Sequence, residues 1–221
     1  MNILVTAGPT REYLDPVRFL SNPATGTLGY LIARRAAARG HKTVLVAGPT
    51  SLRAPDGVRL IRVVSAHEMR AAVLRCFPKA DVLIMTAAVS DWKPALRSRA
   101  KIKRKTPWKL QLVPNPDILK AAARMKRAGQ TVVGFALESE ALLSHGWKKL
   151  CEKRLDMIVV NDASNFGEGG GAKNPIYVIR SDRSVKDCSG FTKARLASYL
   201  LSCGESGAQG VSGASCRKRK P

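Results

Sequence analysis

Two short apolar runs in this chain end in the same four residues. Ile3 to Val5 leads through Thr6 into Ala7-Gly8-Pro9-Thr10, and Thr43 to Val46 leads into Ala47-Gly48-Pro49-Thr50. Runs of this length bounded by glycine and proline read as buried strands closing in tight turns. Between them, Thr27 to Arg39 is an alanine-rich stretch of helical character that stops at Gly40. Strand, helix and second strand make a βαβ unit, whose two strands are parallel, so both Gly-Pro turns come to one edge of one sheet.

The same rhythm continues. Val58 to Val64 reads as a third strand, followed by Ser65 as N-cap with Glu68 three residues on, a capping box that opens a helix to about Cys76. Ala80 to Ala88 is the most apolar run and suits a central parallel strand covered on both faces. Leu110 to Val113 reads as a strand. Pro116 is expected at the first position of a helix, with Asp117 in its first turn, running to about Lys126. Thr131 to Phe135 is a strand, Glu138 to Arg154 an amphipathic helix and Met157 to Val160 a strand. Ile176 to Arg180 and Ser184 to Asp187 form a hairpin, and Thr192 to Leu201 is the closing helix. The expected fold is a Rossmann-like three-layer α/β domain with a mainly parallel sheet, plus a flap and a small hairpin region.

Three stretches break the rhythm. Thr10 to Thr25 is a polar, proline-bearing insertion that separates the first strand from its helix and carries Arg11, Asp15, Arg18 and Asn22. A helix N-terminus facing such a loop offers free backbone N–H groups to an anion. Lys93 to Lys109 holds eight basic residues and no acidic one. Lys101 to Lys105 reads as an extended arm, suited to a polyanion or simply solvated. Asp91, at the carboxyl end of the central strand, is a cation ligand or a turn cap on position alone. Asn165 to Asn174 reads as a flexible loop, and Gly204 to Pro221 as a Gly/Ser-rich basic tail without a face to bury.

Composition excludes several classes. The 221 residues are 45% hydrophobic, enough for one full core, and no apolar run approaches a membrane span, so a cytoplasmic location is expected. The five cysteines are scattered without a CxxC pair and read as reduced thiols, neither a disulfide framework nor a zinc site. The formal charge of +22 favours encounter with anions, whether nucleotides or nucleic acid. An NAD(P)-dependent reductase is a rival reading of the opening strand and glycines, but no GxGxxG follows that strand. A basic nucleic-acid binder using the arm and tail is the other.

Taken in order, several segments together resemble the phosphopantothenoylcysteine synthetase family of coenzyme A biosynthesis. They are TAGPTREYLDPVRFLSN, TAAVSDWKP, KIKR, NPDIL, GFALE and KKLCEKRLDMIVVN. The resemblance runs from Ile3 to about Leu201 and implies a synthetase domain over 1–203, with a flap at 92–109 and a disordered tail at 204–221. It implies a ligase that activates 4′-phosphopantothenate with CTP or ATP to an acyl-nucleotide, which the amine of cysteine then converts to the amide.

The resemblance also implies roles. Asp91 would hold Mg²⁺ or the nucleotide, and Lys101 would lie on the flap and neutralise charge at the α-phosphorus. Pro116, Asp117, Ile118, Leu119, Phe135, Lys149 and Lys153 would contact the nucleotide. Asn22 would act on the acyl-nucleotide, and the turn at Gly26 would receive the substrate phosphate. A homodimer is implied, with flap and hairpin contributing across the interface and Lys101 serving the partner's site. The chain departs from the family at Pro23 to Gly29, where a lysine and a hydroxyl of the usual SSGKMG-like segment are missing. Many members are fused to a flavin-dependent decarboxylase; here residue 1 already opens the synthetase pattern, so no flavin is expected.

Overall fold

The computed structural model describes residues 1–103, 107–163 and 175–209. In chain order the strands are β1 (Asn2–Ala7), β2 (Arg11–Tyr13), β3 (Phe19–Ser21), β4 (Lys42–Ala47), β5 (Val58–Arg62), β6 (Val82–Met85), β7 (Trp92–Pro94), β8 (Leu112–Pro114), β9 (Thr131–Glu138), β10 (Met157–Asp162), β11 (Ile176–Arg180) and β12 (Val185–Asp187). The helices are α1 (Thr27–Ala38), α2 (Ala66–Cys76), α3 (Ile118–Arg124), α4 (Leu142–Glu152) and α5 (Lys193–Ala208).

The main sheet has the order β12-β11-β10-β9-β6-β1-β4-β5. From β5 to β10 every pairing is parallel, and β11 and β12 close the far side antiparallel. Successive residues of a strand point to opposite faces of the sheet. Ile3, Val5 and Ala7 of β1 therefore join α1 and α5 in one core, while Leu4 joins α2, α3 and α4 in the other. Strand order reverses between β1 and β6, which opens a crevice at their carboxyl ends.

The two Gly-Pro turns do meet at that edge. Ala7 and Ala47 are in register, and the Gly48 N–H donates to the Ala7 carbonyl at 2.9 Å. Gly8 sits at φ 74°, the left-handed region that favours glycine. Ser65 caps α2 as expected, accepting from the Glu68 N–H at 3.2 Å, whereas the Glu68 carboxylate reaches back to the Val64 N–H at 2.7 Å, one residue beyond the cap.

Several expectations need correction. Pro116 is not the first helical residue: Asp117 is the N-cap of α3, accepting from the Lys120 N–H at 2.8 Å, and the helix ends at Arg124. Glu138 belongs to a strand, because β10 pairs with β9 as far as Asp162 opposite Glu138. The closing helix continues to Ala208, so Gly204–Ala208 are not tail. Side chains at Gly204 and Gly207 would meet Val82 and Thr131, which marks both glycines as close contacts of α5 with the sheet. The insertion carries an antiparallel hairpin, β2 with β3, and the flap is rooted in a second one, β7 with β8. Cys76, Cys188 and Cys203 are free thiols, but Cys151 is disulfide-bonded, against the reading of reduced cysteines. The loop Asn165–Asn174 and the tail from Gly210 lie outside the described residues. No helix among the described residues is long and apolar enough to cross a membrane.

Candidate functional site

A cavity of about 670 Å³ opens at the carboxyl edge where the strand order reverses. Its walls come from four separate parts of the chain. Asn22, Pro23 and Leu28 enter from the insertion and the start of α1, Met85 to Asp91 from the end of β6, Asn115 to Leu119 from the entry to α3, and Phe135, Lys149, Lys153 and Asn161 from β9, α4 and β10. Nine of the ten residues singled out in the sequence are thus brought together: Asn22, Asp91, Pro116, Asp117, Ile118, Leu119, Phe135, Lys149 and Lys153. Lys101 is not among the lining residues; it is exposed on the arm.

Asn22 is oriented by its own amide. Its Nδ2 donates to the Ala88 carbonyl at 3.1 Å, which leaves the second amide proton uncommitted among the described residues. The same carbonyl accepts from the Thr10 N–H at 3.3 Å, and the Ala88 N–H donates to Gly8 at 3.0 Å. Insertion, first turn and central strand are therefore knitted at one residue.

Asn115 performs a matching task at the entry to α3. Its N–H donates to the Asp91 carbonyl at 2.7 Å and its Nδ2 to the Ser90 carbonyl at 2.9 Å. That fixes the backbone that carries the Asp91 carboxylate, which is exposed and has no ion-pair partner among the described residues. One free carboxylate fits the way Mg²⁺ is usually held, by one or two protein oxygens with substrate phosphates and water completing the shell. No cluster of three or more acidic, His or Cys groups suited to an all-protein metal cage occurs among the described residues.

Both cavity lysines carry a counter-charge. Lys149 Nζ lies 2.6 Å from Glu138 Oε1, and Lys153 Nζ lies 2.9 Å from Asp117 Oδ2. The Asp117 carboxylate thus both caps α3 and holds Lys153. Burial alone would raise its pKa, but the Lys120 N–H and the Lys153 ammonium more than offset this and hold it below its ordinary 3.8. A carboxyl lowered in the folded state stabilises the protein above its unfolded pKa and loses that contribution as pH falls through the folded value. Asp117→Ala is therefore expected to cost about 1 kcal/mol near neutral pH from the lost cap. It should also flatten the fall in stability below about pH 4, read by urea titration at several pH values.

Asn115 and Asn161 line the cavity without having been singled out in the sequence. The signal for Asn161 was available, because it ends β10 at the carboxyl edge of a parallel sheet. Asn115 heads the NPDIL segment that carries the resemblance, but no role attaches to it there.

The family described as DNA/pantothenate metabolism flavoprotein C-terminal domain matches residues 1–204. The coenzyme A biosynthesis bifunctional protein CoaBC of Bacillus subtilis (strain 168) is 42% identical over 180 residues, 80% of this chain and 44% of that protein. Its namesake in Escherichia coli (strain K12) is 40% identical over 178 residues, 79% of this chain and 44% of that protein. The chain thus spans about half the length of the curated relatives it matches. The crystal structure of the C-terminal domain of a CoaBC protein superposes with a TM-score of 0.78 at 37% identity, covering 91% of this chain and 92% of that one. Matched over nearly its whole described length in both sequence and fold, the chain belongs to the DNA/pantothenate metabolism flavoprotein C-terminal domain family.

Proposed function

We propose that the protein is a phosphopantothenate–cysteine ligase, joining 4′-phosphopantothenate to L-cysteine through an acyl-nucleotide made from CTP or ATP. The observation that carries this reading is the convergence of Asn22, Asp91, Asn115 to Leu119, Phe135, Lys149 and Lys153 on one cavity from four chain segments. The size suits a nucleotide, since small-molecule sites run from about 300 to 1,000 Å³.

A carboxylate becomes an electrophile only when one oxygen is made part of a good leaving group, and here two anions must meet for that to happen. The chain's own groups meet the problem in parts. The start of α1 offers N–H groups to the substrate phosphate; its N-cap, Gly26, makes no side-chain hydrogen bond, among the described residues the Thr27 N–H alone is met, by Thr25 Oγ1 at 3.4 Å, and the first turn has no acidic residue. The entry to α3 and the side chain of Phe135 hold the nucleotide, with Lys149 and Lys153 set at fixed positions by Glu138 and Asp117. Asp91 would hold Mg²⁺, which when bound supplies positive charge to the phosphates. Asn22 donates its uncommitted amide proton to the acyl oxygen as cysteine attacks.

Lys101, in this reading, neutralises the charge that grows at the α-phosphorus. It lies outside the cavity of its own chain, which supports a homodimer in which it serves the neighbouring site. Six of the eleven exposed large apolar side chains among the described residues, Val17, Phe19, Trp92, Leu96, Trp108 and Leu112, lie on the two hairpins and the arm that joins β7 to β8, which suits a face that a second copy covers.

The reading is tested by mixing protein, Mg²⁺ and 4′-phosphopantothenate with CTP or ATP. Pyrophosphate is expected without cysteine and the amide only with it, and EDTA should abolish both. No pyrophosphate from either nucleotide overturns the proposal.

A further inference from the structure

One carboxylate outside the cavity is committed far beyond what its own turn needs. Asp15 lies between β2 and β3 on a surface hairpin, yet its side chain is fully buried. Its Oδ1 accepts from the N–H groups of Val17 and Arg18, each at 2.8 Å, which closes the turn. Oδ2 accepts from Arg18 Nε at 2.9 Å and Nη2 at 2.6 Å. A fifth donor comes from a distant segment, the N–H of Ile102 at 3.2 Å. Arg18 Nη2 then donates to the Ile102 carbonyl at 2.6 Å.

Both backbone groups of Ile102 are therefore held by the side chains of one ion pair. The hold extends along the arm: the Ser98 N–H donates to the Leu14 carbonyl at 2.8 Å, and the Arg97 guanidinium sits 5.1 Å from the centre of the Tyr13 ring. Turn closure by itself needs only the Val17 and Arg18 N–H groups. The remaining bonds serve to fasten residues 97–102 to the hairpin. Burial would push the Asp15 pKa up, but these hydrogen bonds drive it well below the usual carboxylate range, so it stays charged throughout the physiological range. The groups facing it are Arg18, the two turn N–H groups and the Ile102 N–H, and no other ionisable side chain among the described residues bonds to it.

Lys101 is the residue immediately before the clamped one and is exposed, as is Lys103 on the other side. We infer that Asp15 is a positioning residue for Lys101: with Arg18 it pins the arm at Ile102 and so fixes the point from which the Lys101 ammonium reaches its phosphate. The catalytic part of this inference rests on the ligase reading; the clamp itself does not.

Asp15→Asn keeps the size of the side chain, removes its charge and presents N–H₂ where an acceptor is needed. Amide hydrogen exchange in the segment Ser98 to Ile102 is expected to quicken about tenfold, with Asn2 to Ala7 unchanged. Unchanged exchange at the arm, or an equal rise in β1, overturns the clamp. The rate constant for pyrophosphate release is expected to fall about 100-fold, as for a misplaced catalytic group. The nucleotide KM should stay within about threefold.

Combining Asp15→Asn with Lys101→Ala should be no slower than Lys101→Ala alone, because both changes remove the same contribution. A full further loss in the double variant shows that Asp15 acts by another route and overturns the inference. Should Asp15→Asn not fold, Arg18→Lys keeps the charge but cannot bond Asp15 and Ile102 with one guanidinium, and the same exchange and rate changes are expected. If the wild-type protein releases no pyrophosphate from either nucleotide, the ligase reading fails, and the exchange comparison alone decides the clamp.

Discussion

Asn22→Ala is expected to release pyrophosphate at nearly the wild-type rate while forming amide about 100-fold more slowly, the loss typical of removing one donor aimed at a developing oxyanion. Among the described residues the side chain is held by a single bond, Nδ2 to the Ala88 carbonyl at 3.1 Å, in the cavity that Asp91 and the α3 entry also line. It has no part in the proposed handling of the triphosphate, so activation should proceed without it. The acyl-nucleotide should then accumulate and be trapped in acid-quenched single-turnover samples. Fast amide formation with no trapped intermediate would remove Asn22 from the mechanism, and loss of pyrophosphate release as well would move its role to the first step. The Ala88 carbonyl keeps its bond from the Thr10 N–H in the variant, so the fold should be little disturbed.

The largest expected effect on stability is at Gly48. A Cβ built there would lie 1.7 Å from the Pro9 carbonyl oxygen and 2.8 Å from its carbon, both backbone atoms. Neither can swing aside as a flexible side chain would, so Gly48→Ala must part the first two Gly-Pro turns and the β1 to β4 pairing beneath them. A cost of about 3 kcal/mol or more is expected, at the upper end of overpacking effects. Gly40 is the control, with φ 80° and nothing within 4 Å of a built Cβ. Gly40→Ala should cost only about 1 kcal/mol, from the left-handed backbone alone. Urea midpoints for the two variants check the difference, and equal values would mean the turns are not packed against each other.

Those turns also show what the sequence could disclose. The repeated Ala-Gly-Pro-Thr, the alanine-rich stretch between and the apolar run at Ala80 to Ala88 each announce their structure locally, through period, breakers and length. The carboxyl edge follows from parallel topology, and with it the neighbourhood of Asp91. What stayed hidden was held by contacts between distant segments. The strands β2 and β3 have three residues each, with no apolar alternation to mark them. Their hairpin is anchored by Glu12, whose buried carboxylate accepts from the Ala66 N–H at the start of α2 at 2.9 Å.

Composition misled in the opposite direction at the end of the chain. Gly204 and Gly207 look like linker, yet they lie in α5, and they are glycines because Val82 and Thr131 leave no room for a side chain. Glycine in a helix usually weakens it, and here tertiary packing overrides propensity. Glu138 misled as a helix former for the same reason: pairing with β10 outweighs local preference. Lys101 could be singled out from sequence but not placed, because its position depends on Asp15 and Arg18, far earlier in the chain.

The cavity lysines carry one last implication for so cationic a protein. Among the described residues two lysines and two aspartates line the cavity, so these ionisable walls sum to zero while the whole chain carries +22. Attraction over long range thus comes from the outer surface, and discrimination at short range from a locally balanced interior. Added salt, which damps fields beyond about 10 Å, should therefore slow the arrival of phosphorylated molecules far more than it hastens their escape.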